Sequence, residues 1–205
     1  RGEAAMRCIR AVKALRTLED SSLEVVALYT ASDSDAPFVR NADIAIELES
    51  EAGGVAAYLD HDRILEVLGE WKVDAVWPGW GFVAEDPEFV ARLAEAGIRF
   101  LGPNAEAMRA LGDKITSKRI AEKAGVPVTA WSGGALSDEA AAREHASQIG
   151  YPVIIKATAG GGGRGIRMVE SEAEIDEAFR SASSEALSAF GNGDLFCEKL
   201  IIGGR

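Results

Sequence analysis

The pattern of apolar and polar positions divides the chain into two parts of different character. In the first, apolar residues recur at helical spacing from Ala4 to Leu18, and Leu23 to Tyr29 reads as a strand, with a weaker strand at Ile44 to Leu48. The spacing predicts a helix over His61 to Trp71, a strand over Val73 to Trp77, a helix over Pro87 to Ala96, a strand over Ile98 to Leu101 and a short helix over Ala105 to Leu111. Helices alternating with short apolar strands predict an open α/β sheet. Such sheets normally start with a strand, whereas this chain opens at Arg1 inside a helical pattern, so a preceding strand is expected upstream. One more helix runs from Lys114 to Ala124 and is stopped by Gly125 and Pro127. Beyond it the pattern changes to a small α+β unit. Trp131 to Gly134 reads as a turn, and Ser137-Asp138-Glu139 caps a helix running to Ile149. Strands at Pro152 to Lys156 and Gly165 to Val169 flank a glycine run, followed by a helix from Glu172 to Phe190, a turn and a strand over Leu195 to Glu198. The expected organisation is residues 1–112, a helical connection at 113–128 and the α+β unit at 129–205.

Composition narrows the function class. The 205 residues are 47% hydrophobic, enough for a real core. The net charge of −11 argues against a general nucleic-acid or anionic-membrane surface, because phosphate backbones and acidic lipids demand excess Lys and Arg. Cys8 and Cys197 lie far apart and show no metal-ligand spacing, so no metal site is expected from them, and a reduced, cytoplasmic protein is the default. No apolar run approaches membrane-spanning length.

The candidate chemistry lies in the glycine run. Lys156-Ala157-Thr158-Ala159 leads into Gly160, Gly161, Gly162 and Gly163, then Arg164, Gly165 and Ile166. Successive glycines accept positive φ and lack Cβ atoms, so several backbone N–H groups can converge on one oxyanion. Lys156 and Arg164 would supply the counter-charge. A simple hairpin turn needs fewer glycines and no flanking cations. Gly160, Gly162 and Gly165 formally satisfy G-x-G-x-x-G, but a dinucleotide fingerprint opens a helix and here a strand follows; no Gly-Lys-Ser or Gly-Lys-Thr makes a Walker loop. A glycine loop between two strands acts as a lid over phosphates, which points to ATP chemistry. A second loop, Pro78 to Asp86, lies between a strand and a helix where open α/β sheets bind ligands. Its Glu85 and Asp86 would repel a pyrophosphate, and either cap the next helix or wall a substrate site.

The ordered set Arg1-Gly2-Glu3, Pro78-Gly79-Trp80-Gly81-Phe82, Phe100-Leu101-Gly102-Pro103, Leu111-Gly112-Asp113-Lys114, Ala124-Gly125-Val126-Pro127, Gly150 to Ala157, the glycine loop and Glu198-Lys199 resembles the N-terminal part of the biotin carboxylases across essentially the whole chain. The resemblance implies a Rossmann-like N-terminal domain followed by a mobile ATP-grasp lid. It also implies that Lys114 and Lys156 bind ATP phosphates, that Glu198 and Lys199 hold adenine through side-chain and backbone hydrogen bonds, and that Ile201 lines the base. Trp80, Gly81 and Glu85 would lie toward the biotin and bicarbonate side. Lys118, Arg119 and Lys123 read as a solvated helix face.

For the intact enzyme the resemblance implies ATP, Mg2+ or Mn2+ and biotin, with bicarbonate as carbon source, and a biotinyl carrier domain, a carboxyltransferase and self-association as partners. The family's metal-binding carboxylates, bicarbonate base and enolate-steadying arginine belong to its C-terminal region, so the residues shown are expected to be inactive alone. Trp77, Trp80 and Trp131-Ser132-Gly133 resemble multidomain acyl-CoA carboxylases of fatty-acid metabolism. Pyruvate carboxylase, another ATP-grasp ligase and a non-catalytic nucleotide-binding or assembly module are the alternatives.

Overall fold

The computed structural model describes residues 2–160 and 162–203, and the chain divides into two compact units, residues 1–109 and 110–205. In the first unit α1 (Gly2–Glu19) precedes β1 (Val26–Tyr29), α2 (Pro37–Asn41) and β2 (Ile44–Glu47). Then follow α3 (His61–Glu70), β3 (Ala75–Val76), α4 (Pro87–Glu95) and β4 (Arg99–Phe100). α2 was not expected; Pro37 at its first position starts it. The strands are parallel, as alternation with helices requires, but they pair as two separate ribbons, β1 with β2 and β3 with β4, instead of one open sheet. Turn geometry shortens the second ribbon to two residues per strand. Lys72 takes φ +51° and Val73 donates back to Leu68 of α3, while Pro78 ends one strand and Gly102-Pro103 the other.

The core of this unit lies under α3 and α4. Ile64, Val67 and Leu68 recur at helical spacing on α3, as do Phe89, Val90 and Leu93 on α4, and all are buried, in company with Leu48, Val83 and Ile98. Asp60 caps α3 by accepting from the Arg63 N–H, and Asp86 caps α4 by accepting from Glu88 and Phe89. Arg16 on α1 is paired with Asp43 at the entrance to β2.

The second unit begins within α5 (Ala105–Gly112) and contains α6 (Lys114–Lys123), α7 (Glu139–Ile149), β5 (Val153–Ala157), β6 (Ile166–Val169), α8 (Ile175–Phe190) and β7 (Leu195–Lys199). Its antiparallel sheet has the order β6-β5-β7. Val153, Ile155, Ala157, Val169, Leu195 and Cys197 point to one face and are buried with Ala142, Ala146, Ile175, Ala182 and Ala186 of the two covering helices. Alanine on the helix side lets backbone approach sheet closely.

Two expectations are corrected here. The helix foreseen over Glu172 to Phe190 is a 3-10 turn at Glu172–Glu174 followed by α8, because Glu174 folds back to accept from the Ser171 hydroxyl and the Glu170 N–H. The turn foreseen at Trp131 to Gly134 lies in a segment that runs antiparallel along β7: Ser132 N donates to Cys197 O, Leu136 N to Leu195 O, and Lys199 N to Ala130 O. That segment covers what would otherwise be an open sheet edge. Among the described residues, no helix is long and apolar enough to cross a membrane.

Candidate nucleotide site

The site is built on the sheet face of the second unit that α7 and α8 leave uncovered. Strand alternation sends Ile154 and Lys156 of β5, Ile166 and Met168 of β6, and Phe196 and Glu198 of β7 to that face. Lys156 stands opposite Ile166 and Phe196, two positions along from the Ile154–Glu198 pair. Its ammonium group forms a short ion pair with Glu198 Oε1.

α6 supplies the other wall. Lys114, Lys118 and Glu122 recur every four residues and so share one helix face. Lys114 Nζ donates into the carbonyls that lead into the glycine loop, at 3.0 Å to Ala157, 3.5 Å to Thr158, 3.4 Å to Ala159 and 2.7 Å to Gly160. Burial lowers its pKa, and the nearby charge of Lys156 lowers it further, against a smaller opposing effect of Asp113. Lys118 Nζ lies 2.6 Å from Glu198 Oε2 and donates to Thr129 Oγ1 at 3.0 Å, while that hydroxyl lies 3.1 Å from the same carboxylate oxygen. The ammonium is also 5.5 Å from the centre of the Trp131 ring, a cation–π distance. Glu122 accepts from Trp131 Nε1 at 2.7 Å, and the Trp131 ring meets Phe196 edge-on at 6.2 Å.

Glu198 is therefore not the solvated charge its strand-end position suggests. Its side chain is 9% exposed. Burial favours the protonated acid, but the hydrogen bonds from Lys118 and Lys156 outweigh it, and the net effect holds its pKa below the ordinary glutamate value. Lys118 is likewise not part of a solvated face, at 16% side-chain exposure. The rest of that expected face divides: Arg119 is exposed yet donates to Gly133 O at 3.0 Å, and Lys123 is exposed. A sequence signal for Lys118 exists in its four-residue offset from Lys114.

The glycine loop has two kinds of glycine. Gly165 at φ +66° is packed where a Cβ would stand 2.8 Å from that of Ala157, and its N–H donates to Glu185 Oε2, which also pairs with Arg167. At Gly162 and Gly163, φ is +73° and +82° and a Cβ would meet nothing within 4 Å. Gly160 faces the Phe190 ring, over which the Arg164 guanidinium sits at 5.3 Å; Gly161 lies outside the described residues. Lys199 uses its side chain on the opposite face, donating to Gly150 O and Tyr151 O at 2.9 Å each, so its side chain is directed away from Glu198. Ile201 is exposed just past β7.

The remaining sequence candidates belong to the first unit. Gly81 at φ +84° and Phe82 at φ +50° start a 3-10 turn, Phe82–Glu85, with the Phe82 ring 5.2 Å from that of Tyr58. Trp80 and Glu85 are exposed, and the capping role falls to Asp86, which also pairs with His61 at 3.0 Å.

Cations beside a glycine loop and a base-sized sheet face can serve nucleotide chemistry on many folds. The comparison that decides among them is the match of residues 1–108 to the biotin carboxylase N-terminal domain. The chain belongs to the biotin carboxylase family. Residues 113–205 match the ATP-binding domain of the carbamoyl-phosphate synthase L chain. Pyruvate carboxylase of Bacillus subtilis is 42% identical over 201 residues, 98% of this chain and 17% of that protein. The 2-oxoglutarate carboxylase small subunit of Hydrogenobacter thermophilus is 41% identical over 98% of this chain and 41% of its own length. Among solved structures, a Campylobacter jejuni biotin carboxylase in complex with β,γ-ATP superposes with a TM-score of 0.83 at 41% identity, covering 94% of this chain and 43% of that one. The biotin carboxylase domain dimer of Hydrogenobacter thermophilus 2-oxoglutarate carboxylase, solved with MgADP, ADP and bicarbonate, gives 0.86 at 40% identity, covering 98% and 42%. The chain thus spans from about one sixth to under one half of these family members. The chain carries the α/β fold foreseen from the sequence, with part of the ATP-grasp portion of these structures.

Proposed function

We propose that the protein carrying this chain is an ATP-dependent biotin carboxylase, in which residues 1–112 form the Rossmann-like domain, 113–128 the connection and 129–205 the lid. The observation that supports this most is the Lys156–Glu198–Lys118 group, two half-buried lysines on a buried carboxylate, beside a glycine loop whose root carbonyls hold Lys114. Lys156, the most exposed member of that group at 29%, turns to the phosphates, and Lys114 follows once the loop carbonyls release it. The N–H groups around Gly162 and Gly163, where the backbone is free of close neighbours, and the Arg164 guanidinium complete the phosphate contacts. Adenine lies along the end of β7, with the Glu198 and Lys199 backbone for its edge and Ile201 against its face. Glu198 acts chiefly by holding the lysines, since both its oxygens are engaged by them. Trp80, Gly81 and Glu85 serve the biotin and bicarbonate side.

In the reaction, a bicarbonate oxygen attacks the γ-phosphorus of ATP and the bond to the ADP oxygen breaks, giving carboxyphosphate and ADP. Carboxyphosphate then divides into carbon dioxide and phosphate, and the biotin ureido nitrogen passes its proton to that phosphate and takes the carbon dioxide. The lid's part is to fix the phosphates and exclude water from the carboxyphosphate. The Mg2+ or Mn2+ that this reading implies would take its carboxylate ligands from outside these residues, and the lid's share of the work falls to lysines and backbone. Biotin on a carrier domain, a carboxyltransferase, self-association and a cytoplasmic setting complete the proposal.

For the final acceptor, the tryptophans at 77, 80 and 131 support an acyl-CoA and hence fatty-acid metabolism. A second reading, a 2-oxo acid, is favoured by the names of similar relatives, pyruvate and 2-oxoglutarate carboxylases. Bicarbonate-dependent ADP release by the full-length protein, with and without free biotin, tests the main proposal. Stimulation by biotin supports it; ATP turnover indifferent to biotin moves the substrate elsewhere within ATP-grasp chemistry, and no turnover favours a non-catalytic nucleotide module. Labelled bicarbonate with acetyl-CoA, propionyl-CoA, pyruvate or 2-oxoglutarate then separates the acceptors.

A further inference from the structure

Two ammonium groups share one buried carboxylate, and they are not held alike. Lys118 is 16% exposed and fixed by three contacts: Glu198 Oε2 at 2.6 Å, Thr129 Oγ1 at 3.0 Å and the Trp131 ring at 5.5 Å. Lys156 is 29% exposed, and its described hydrogen-bond partner is Glu198 Oε1. Lys156 is the more accessible of the two, and its withdrawal toward an anion takes one of the two positive charges from Glu198.

We propose that Lys118 is a positioning residue of the nucleotide site: it keeps Glu198 ionised and in place, so that Lys156 is free to move to the phosphates. The inference rests on the nucleotide reading above. The charge count shows why a second lysine is needed. With both lysines present, one stays with the carboxylate as a neutral pair while the other leaves. Without Lys118, the departure of Lys156 strands a carboxylate of 9% exposure, and such a group recovers neutrality by binding a proton.

No neighbouring group replaces Lys118. Thr129 is neutral, and Cys197, next along β7, has its thiol pushed up to about 12 by burial and is uncharged at neutral pH. Lys114 is held by the loop carbonyls and, once released, serves the phosphates; Lys199 is held by the carbonyls of Gly150 and Tyr151 on the other face, and Glu122 by Trp131.

The test is calorimetry of MgADP binding to the full-length protein at neutral pH in two buffers of different ionisation heat, which counts protons taken up per nucleotide. Relative to wild type, Lys118→Met is expected to take up roughly one additional proton and to bind about tenfold more weakly. Lys118→Arg should restore the wild-type count, and so should Lys118→Met combined with Glu198→Gln, which has no carboxylate to protonate. A Lys118→Met protein with the wild-type proton count overturns the proposal. If Lys118→Met does not fold, recovery of a folded, nucleotide-binding protein by the added Glu198→Gln supports it, and failure of the double variant to fold assigns Lys118 to structure alone and overturns it. Lys156→Met is the separate control: undiminished ADP affinity there refutes the nucleotide reading itself, whereas lost affinity with an unchanged proton count in Lys118→Met refutes only the role of Lys118.

Discussion

Replacing Gly165 by alanine tests whether the glycine loop is anchored at one end and free in its middle. The new methyl carbon would stand 2.8 Å from Ala157 Cβ and 3.3 Å from Ala186 Cβ, against the roughly 3.5–4.0 Å that carbon atoms prefer. Neither neighbour has a rotamer to change, and they belong to β5 and α8, so relief requires sheet and helix to part. That overpacking costs about 1–3 kcal/mol, and the left-handed backbone at φ +66° adds about 1–2 kcal/mol for a residue with a Cβ. The expected total is about 2–5 kcal/mol. Gly162→Ala, at φ +73° with nothing within 4 Å, carries only the backbone cost, about 1–2 kcal/mol, reduced by the lower unfolded-state entropy of alanine. Amide hydrogen exchange along β5 and β7 reads the stability of this unit separately from the rest of the chain. Protection should fall roughly thirtyfold to a few thousandfold for Gly165→Ala but no more than about thirtyfold for Gly162→Ala, at 1.4 kcal/mol per decade. Equal losses in the two variants would refute the distinction between anchor and free span.

Other outcomes are expected elsewhere. Asp43 is held at about 2 by its hydrogen bond from Arg16, helped by the Val25 N–H, so its stabilising contribution is complete above the unfolded value of 3.8 and disappears as the pH falls through about 2. Asp43→Asn should therefore cost about 1 kcal/mol near neutral pH, a modest figure for a pair open to water, and almost nothing at about pH 2, as read from melting temperatures. The lowered pKa of Glu198 has the same sign: stability is present above its ordinary value of 4.5 and lost in more acid solution. Exchange protection in β7 should fall with acid in the wild type and stay flatter in Glu198→Gln; parallel curves would contradict the pairing. Asp86→Ala removes the cap of α4 and should destabilise the first unit by about 1–2 kcal/mol in urea unfolding, with Glu85→Ala nearly neutral as the contrast.

The sequence makes the order of elements legible because each carries its own punctuation: Asp86-Pro87 opens α4, Asp138 opens α7, and Gly191 at φ +71° closes α8. Pairing between strands is less legible. Nothing in the apolar run at Val73 to Trp77 tells that only Ala75 and Val76 pair, since the limits come from Lys72 turning back and from the reach of the neighbouring strand. In the site, Lys156 and the glycines are evident from their neighbours in sequence, whereas Glu198 and Lys118 acquire their character from a contact 80 residues apart. α6 is polar nearly all round, so periodicity cannot say which of its faces is covered. Lys199 shows the converse: alternation along β7 puts it on the face opposite Glu198, a distinction the adjacent pair of charges conceals until the pairing of Lys199 with Val153 and of Glu198 with Ile154 fixes the register.

The regular spacing of Lys114, Lys118 and Glu122 limits how this segment can change in length. Each residue turns the helix by about 100°, so an insertion or deletion between Lys114 and Glu122 would carry every later side chain off the shared face. A point substitution could remove one of the contacts to the loop carbonyls, Glu198 or Trp131, whereas a shift of a single codon would misalign them together. Over these nine positions, length is as tightly determined as residue identity.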